Sequence, residues 1–165
     1  MTKLKKEQIM FDDFDEDDEF AAEDMEQEHQ RIKNMPIFIK GREIYDLVRQ
    51  ITDLIPEEDT YLQDIKAMML EDAAVLYIKV GGAEAAELYD LKMEAAAIIR
   101  KAAKSLMLSN HSLESFDFQH VEYFQMVRDL IEEYRLLFVD WVANFDKWHY
   151  IYDDWGLFNP PHAEQ

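Results

Sequence analysis

The 165 residues, of which 48% are apolar, suffice for one domain with a single core. The 36 acidic and 17 basic residues give a net charge of −19, which argues against nonspecific binding to a phosphate backbone. The chain has no cysteine, so disulfides and thiol chemistry are excluded, and we expect a cytoplasmic protein without a secretory signal or membrane span.

Residues 1–35 are expected to form an acidic, flexible arm in front of the folded domain. Within it the stretch FDDFDEDDEF sets three phenylalanines among seven carboxylates, with no basic residue. Repulsion between these charges, together with the lack of a periodic apolar face, predicts a solubilising tail. A second role stays open, because aromatic-acidic segments also dock on partners or grooves. The residues of such a docking arm are Phe11, Phe14 and Phe20.

Apolar periodicity predicts two helices in the first half of the domain. The first runs from about Ile39 to Ile55. The second begins near Thr60, which has capping-box spacing to Gln63, and reaches Gly81-Gly82, where we expect a break. The stripes recur at three- and four-residue steps, which is typical of amphipathic helices. Their members are Ile44, Leu47, Val48, Ile51, Leu54 and Ile55, then Leu62, Ile65, Met69, Leu76 and Val80.

The third predicted helix, about Ala83–Ser109, is rich in alanine, which lets a neighbouring helix approach closely. Arg100, Lys101 and Lys104 form a weak basic patch near its end. Cations there complement the negative end of the helix dipole, so we favour a structural role for them. We expect a loop at 109–112. The apolar positions in heptad rhythm are Leu88, Leu91, Ala95, Ile98, Ala102 and Leu106 or Ser105.

The fourth predicted helix is the longest and carries many aromatic side chains. Trp141, Trp148 and Trp155 repeat every seven residues, so a continued helix would align them, and Tyr152 broadens the same surface. Aromatic-rich surfaces are favoured at interfaces, so we expect these four residues to contact another subunit or a partner. The alternative is that the rings close the subunit's own core. The stripe comprises Val121, Phe124, Val127, Ile131, Tyr134, Phe138, Trp141, Phe145 and Trp148.

Four apolar stripes joined by short connections predict an all-α fold, an up-down-up-down antiparallel four-helix bundle. Strand-like alternation is absent from the sequence. The predicted organisation is the acidic arm at 1–35, the bundle at 36–155 and a C-terminal tail at 156–165.

No catalytic constellation is recognisable in the sequence. Bundles often hold two metals through Glu-x-x-His motifs, but only Glu26 and His29 match, and they lie in the arm. Two looser Asp-x-x-His pairs begin at Asp117 and Asp146, about 43 Å apart on one helix at 1.5 Å per residue. Phosphate loops and nucleophile elbows are absent from the sequence. We therefore expect no enzyme activity, no catalytic or metal-binding residues and no cofactor.

The order of elements resembles a known bundle family. The segments ITDLIPEED, DAAVLYIKVGGAEAAE and LYDLKMEAAAIIRKAAKSLML are similar to successive helices of the bacterial proteins encoded within intervening sequences of 23S ribosomal RNA genes. The likeness covers about residues 36–148. That family is similar in fold to the accessory proteins of diversity-generating retroelements, and both groups commonly form rings, often of five subunits. The resemblance implies a non-enzymatic bundle that forms homo-oligomers, pentameric rings among them.

Two functional hypotheses follow. The favoured one is a self-associating interaction or scaffold protein without catalysis. The alternative, which rests on the resemblance, is a nucleic-acid-associated accessory protein with ribosomal RNA or a reverse transcriptase as partner. The retroelement proteins are basic, whereas residues 36–165 carry 24 acids and 12 bases, so nucleic acid is an unfavoured partner here.

Overall fold

The structure, a computed structural model, describes residues 20–158. All regular structure in this range is helical, and no residue between 20 and 158 lies in a strand. The all-α prediction is therefore confirmed. The chain divides into a unit that ends at Asn34 and a second that begins at Met35.

In the first unit, residues 20–33 form helix α1. The sequence predicts a flexible tail here and leaves a docking role open, whereas residues 20–33 are helical. The Gln30 amide donates to Glu26 at 2.8 Å, and Arg31 pairs with Glu28 at 2.6 Å. Side-chain pairs three or four residues apart stabilise a helix locally, and the sequence pattern of apolar residues does not show them.

In the described part of the second unit, residues 35–158, four α-helices are joined by short connections. They are α2 (Pro36–Thr52), α3 (Thr60–Ala86), α4 (Tyr89–Ser115) and α5 (Phe124–Ala143), with a 3-10 turn at Val121–Tyr123. Pro36 suits the first turn of α2, where no backbone donor is needed. Asp59 caps α3, because its carboxylate accepts from the Leu62 amide at 3.1 Å. The capping box expected between Thr60 and Gln63 is replaced by this bond.

The boundary between α3 and α4 differs from the prediction. Helix α3 continues through Gly81-Gly82 and ends where Glu87 adopts a left-handed φ of 59°. Glycine costs a helix only about 1 kcal/mol per residue, and buried Val80 and Ala83 hold this turn against the core. Helix α4 also continues through the loop expected at 109–112 and ends at Ser115.

Helix α5 is shorter than predicted at both ends. It begins at Phe124 and ends at Ala143, so Trp148 and Trp155 lie beyond it. The apolar rhythm continues past Ala143, but the chain turns there and Phe145 still reaches the core. Periodic spacing alone therefore overestimates the helix.

Helix α2 packs against α3 and α5, and α4 packs against the same two helices. This packing is compatible with a bundle. The α4 stripe differs from the heptad expectation, because Leu91 and Ile98 are 40% and 45% exposed while Ala96 and Ile99 are buried. A straight helix has 3.6 residues per turn, so a strict seven-residue rhythm drifts off the buried face. The buried residues of α4 are Ala95, Ala96, Ile99, Ala102, Leu106 and Leu113.

Three helices meet at one carbonyl in the core. A Cβ on Gly41 of α2 would lie 2.9 Å from the Leu76 carbonyl oxygen and 3.0 Å from the Tyr77 Cβ of α3. The Tyr134 hydroxyl of α5 donates to the same Leu76 oxygen at 2.7 Å. Burial raises the pKa of Tyr134 far above its usual value, so the hydroxyl stays protonated and remains a donor.

Candidate functional site

Trp141, predicted to be an interface residue, lies in the core instead. Its side chain is 7% exposed, and its indole Nε1 donates to a Glu84 carboxylate oxygen at 2.8 Å. The Lys92 ammonium donates to the same oxygen at 3.2 Å. A buried carboxylate needs such compensation, so Trp141 and Lys92 are parts of one structural cluster.

Aromatic contacts complete this cluster. The Phe145 ring meets Trp141 edge-on at 4.7 Å between centroids, and the Lys92 ammonium lies 5.4 Å from the Phe145 centroid. The Tyr89 amide then donates to the His149 carbonyl oxygen at 2.7 Å. This hydrogen bond holds the chain that follows α5 against the start of α4.

Sequence reasoning missed Glu84. The available signal was its position four residues after Val80 on the core stripe, between alanines, where a charged residue is unusual. An acid at such a position needs a donor on a facing helix, and Trp141 and Lys92 both donate to Glu84.

Around the anchor at His149, the chain exposes a run of apolar side chains. Trp148 is 75% exposed, Tyr152 45% and Trp155 91%. These three residues share one non-helical segment, so the predicted alignment of tryptophans along a helix is wrong, although their role in contacts stays a prediction. We call residues 148–157 the C-terminal aromatic segment. Its exposed large apolar residues are Trp148, Ile151, Tyr152, Trp155 and Leu157.

A local turn shapes the end of this segment. The Asp153 carboxylate accepts from the amides of Trp155 at 2.9 Å and Gly156 at 3.0 Å. Gly156 has a φ of +64°, a conformation that suits glycine. The turn therefore holds the backbone of Trp155 in a defined place, while its indole faces solvent.

The predicted basic patch divides between two sides of α4. Arg100 and Lys104 line a groove of about 450 Å³ between α4 and α5, and Arg135 lies on the α5 side. Lys101 instead interacts with Asp72 of α3. The groove itself was not predicted, because it depends on the spacing between two helices. Its apolar lining consists of Ile99, Ala103, Met107, Ile131, Tyr134, Phe138 and Val139.

Asp72 lies at the contact between α3 and α4. Burial raises the pKa of its carboxyl, and the nearby Glu71 acts in the same direction. A hydrogen bond to Ser105 and the charge of Lys101 oppose that rise. These contacts place Lys101 on a different face from Arg100 and Lys104.

A second groove, of about 690 Å³, lies between α2 and α5. Charges of both signs line it, including Arg42, Asp46 and Asp129. Nearby, the Lys40 ammonium pairs with Glu133 of α5 at 2.7 Å, and hydrogen bonds to Glu133 and Glu43 raise the pKa of Lys40. This seam is therefore bridged by the Lys40–Glu133 ion pair, and most of the charged side chains that line its groove are acidic.

Of the predicted docking arm, Phe11 and Phe14 lie outside the described residues. Phe20 begins α1 and is 67% exposed. Within residues 20–158, no group of three or more His, Asp or Glu side chains is placed to hold a metal ion. Over the same range, no helix has the length and apolar character needed to cross a membrane.

No protein-family model, curated protein or solved structure matches this chain. Function is therefore inferred from the C-terminal aromatic segment and the α4–α5 groove.

Proposed function

We propose that this chain is a non-catalytic, self-associating four-helix bundle that acts as an interaction or scaffold protein in the cytoplasm. The exposure of Trp148 and Trp155 carries the proposal. The two residues lie seven positions apart on a segment that the protein itself holds in place, with three further exposed apolar side chains between or beside them.

Pairwise contacts support the up-down-up-down arrangement. Tyr134 contacts Leu76, and seven residues later Trp141 contacts Glu84, so α3 and α5 run in the same direction. The Lys66 ammonium near the start of α3 pairs with Asp53 after the end of α2 at 2.8 Å. These contacts fit antiparallel neighbours joined by short connections.

Energetics support association through the aromatic segment. Burying one aromatic side chain removes roughly 150–250 Å² from water. At about 25 cal/mol per Å², that is about 4–6 kcal/mol for each ring before ordering costs are subtracted. Two tryptophans left in water are therefore a large unused driving force, and exposed apolar surface of this kind marks interaction sites.

The anchoring of the segment lowers the ordering cost. The hydrogen bond from Tyr89 to the His149 carbonyl, and the turn at Asp153, hold the backbone on both sides of Tyr152. A surface that is already ordered loses less conformational entropy when it binds.

The test is the mass of the full chain in solution, measured by sedimentation and light scattering. We expect the wild type to be a multiple of 19.6 kDa. The double substitution Trp148→Ala/Trp155→Ala should weaken association at least tenfold, because it removes both exposed indoles. Tyr61→Ala is the matched control, since Tyr61 is an exposed aromatic on α3. A wild type at 19.6 kDa over the whole concentration range would refute the proposal.

The alternative, a nucleic-acid-associated accessory protein, needs its cations on one exposed face. Lys92 pairs with Glu84, Lys101 lies beside Asp72, and Arg128 donates to Asn110 at 3.3 Å. Arg100, Lys104 and Arg135 share the α4–α5 groove, but the other three cations are engaged elsewhere. This distribution supports the protein-interaction proposal over the alternative. Filter binding to RNA at low salt should accordingly show no retention.

A further inference from the structure

The α4–α5 groove combines an apolar floor with a cationic rim in a strongly acidic protein. Acids outnumber bases 24 to 12 in residues 36–165. Arg100 and Lys104 nevertheless stand one helical turn apart on α4, with Arg135 across the groove. A local concentration of positive charge is the feature that distinguishes this groove from the mixed-charge seam between α2 and α5.

The rim keeps a positive balance after its own ion pairs are counted. Arg135 pairs with Glu132 at 2.8 Å, and Glu132 also lines the groove. Among the ion pairs between described residues, none includes Arg100 or Lys104. Two cations are therefore available for carboxylates of a ligand, while the floor beneath them takes an apolar side chain.

This geometry defines the chemistry of the occupant. It should carry an aromatic or aliphatic side chain for the floor around Ile99, Met107 and Phe138, flanked by several carboxylates for the rim. The segment FDDFDEDDEF, residues 11–20, has this composition, since each of its first two phenylalanines is next to at least one aspartate.

We propose that the α4–α5 groove of one copy binds residues 11–20 of a second copy. A phenylalanine of the segment enters the apolar floor, and the neighbouring aspartates pair with Arg100 and Lys104. The proposal rests on the self-association proposed above and names a second contact for it. Because opposite charges carry this contact, raising the salt from 0.05 M to 0.5 M should weaken it roughly tenfold.

The absence of native cysteine allows a direct test by disulfide crosslinking between full-length copies. One copy carries Phe14→Cys and an isotope label, and the other carries Ala103→Cys on the groove floor. Under mild oxidation we expect the mixed crosslinked dimer in at least tenfold excess over a control pair. The control replaces Ala103→Cys by Ala85→Cys on the exposed surface of α3.

Charge reversal tests whether the cations at the groove rim contribute to the contact. Adding Arg100→Glu/Lys104→Glu to the Ala103→Cys copy should lower the mixed crosslink at least tenfold. Arg49→Glu/Lys79→Glu makes the same change in net charge at exposed positions of α2 and α3, and should leave the yield within twofold. Circular dichroism and melting of each variant establish that its fold is retained.

The crosslinking results distinguish failure of the groove contact from failure of self-association. An oligomeric wild type whose mixed crosslink equals the Ala85→Cys control overturns the groove contact alone. A monomeric wild type without any crosslink overturns both. Crosslinks that form only within a chain carrying both Phe14→Cys and Ala103→Cys overturn the second-copy assignment, because the segment then occupies its own groove.

Discussion

The α2–α3 contact is closely packed, whereas the α4–α5 contact leaves an open groove. At Gly41 the backbone of α2 approaches α3 so closely that even one Cβ would meet the Leu76 carbonyl at 2.9 Å. Between α4 and α5 the helices pack less extensively and leave a groove of about 450 Å³. A close contact contributes stability through dense packing, whereas an open contact leaves apolar surface for a ligand.

The small residues of α4 explain part of this difference. Its alanines at 95, 96 and 102 are buried, while Ala103 lies on the groove. A short side chain at Ala103 cannot fill the space before α5, and the long side chains of Arg100 and Lys104 stand at the rim. Alanine therefore allows close packing on the buried side of α4 and leaves a groove on the side that faces α5.

Substitution at the close contact between α2 and α3 should change stability most. Gly41→Ala should lower the free energy of unfolding by about 2–3 kcal/mol, because the new methyl group collides with the backbone at Leu76 and forces α2 away. Gly82→Ala is the control, since a Cβ there meets nothing within 4 Å. Urea unfolding should show that the Gly82→Ala variant is more stable than wild type by about 0.5–1 kcal/mol. Equal destabilisation by both changes would contradict the close contact.

The buried cluster comes next. Trp141→Phe removes the indole donor to Glu84 and should cost about 1–3 kcal/mol, because a buried carboxylate loses a hydrogen bond. Trp155→Phe makes the same chemical change at a side chain 91% exposed, and should change the unfolding free energy by less than about 0.5 kcal/mol. Urea unfolding of both variants checks the difference.

Two neighbouring alanines of α4 lie in different environments. Ala102→Leu overfills a buried position and should cost about 1–3 kcal/mol. Ala103→Leu extends into the groove and should stabilise the protein slightly, by less than about 1 kcal/mol. Thermal unfolding of the pair is the measurement, and a strongly destabilised Ala103→Leu would show that the groove is not open.

The smallest effect concerns pH. Burial raises the pKa of Asp72, so the folded state binds its proton more tightly than the unfolded state does. Above the pKa that Asp72 has in the folded state, its ionised carboxylate therefore lowers the stability of the protein. This destabilisation disappears as the pH falls below the ordinary pKa of an aspartate. Asp72→Asn should therefore raise the melting temperature at pH 7 and have less effect at low pH. A decrease at pH 7 would contradict this sign.

Asp53→Asn should change the melting temperature at pH 7 in the opposite direction. A hydrogen bond from Lys66 lowers the pKa of Asp53, so its stabilisation is present above the ordinary pKa and is lost as the pH falls through the folded value. The substitution should slightly lower the melting temperature at pH 7. Because the Asp53 side chain is 60% exposed, added salt should reduce the effect.

Much of the core could be predicted from the sequence. The stripes on α2 and α3 were identified largely correctly, because each of these helices buries one face and the positions repeat along it. Leu54 is an exception at 46% exposed, since it follows the last residue of α2 at Thr52. Periodicity identifies a face well but says little about where a helix ends.

The candidate sites were harder to predict, because they depend on contacts between helices. Trp141, Trp148 and Trp155 look equivalent at seven-residue spacing, but α5 ends at Ala143, and Trp141 alone of the three bonds to Glu84 in the core. Arg100 and Lys101 are adjacent in sequence, yet one lines the groove and the other lies beside Asp72. These distinctions arise from partners distant in the chain.

The unequal environments of the three indoles give the protein a built-in optical reporter. Trp141 is sequestered, whereas Trp148 and Trp155 face water. Steady-state emission should therefore contain a blue component from Trp141 and a red component from the other two, which iodide quenches selectively. If copies associate through those two rings, dilution should shift the emission towards the red without any change in helicity, and the affinity can be read from unlabelled protein.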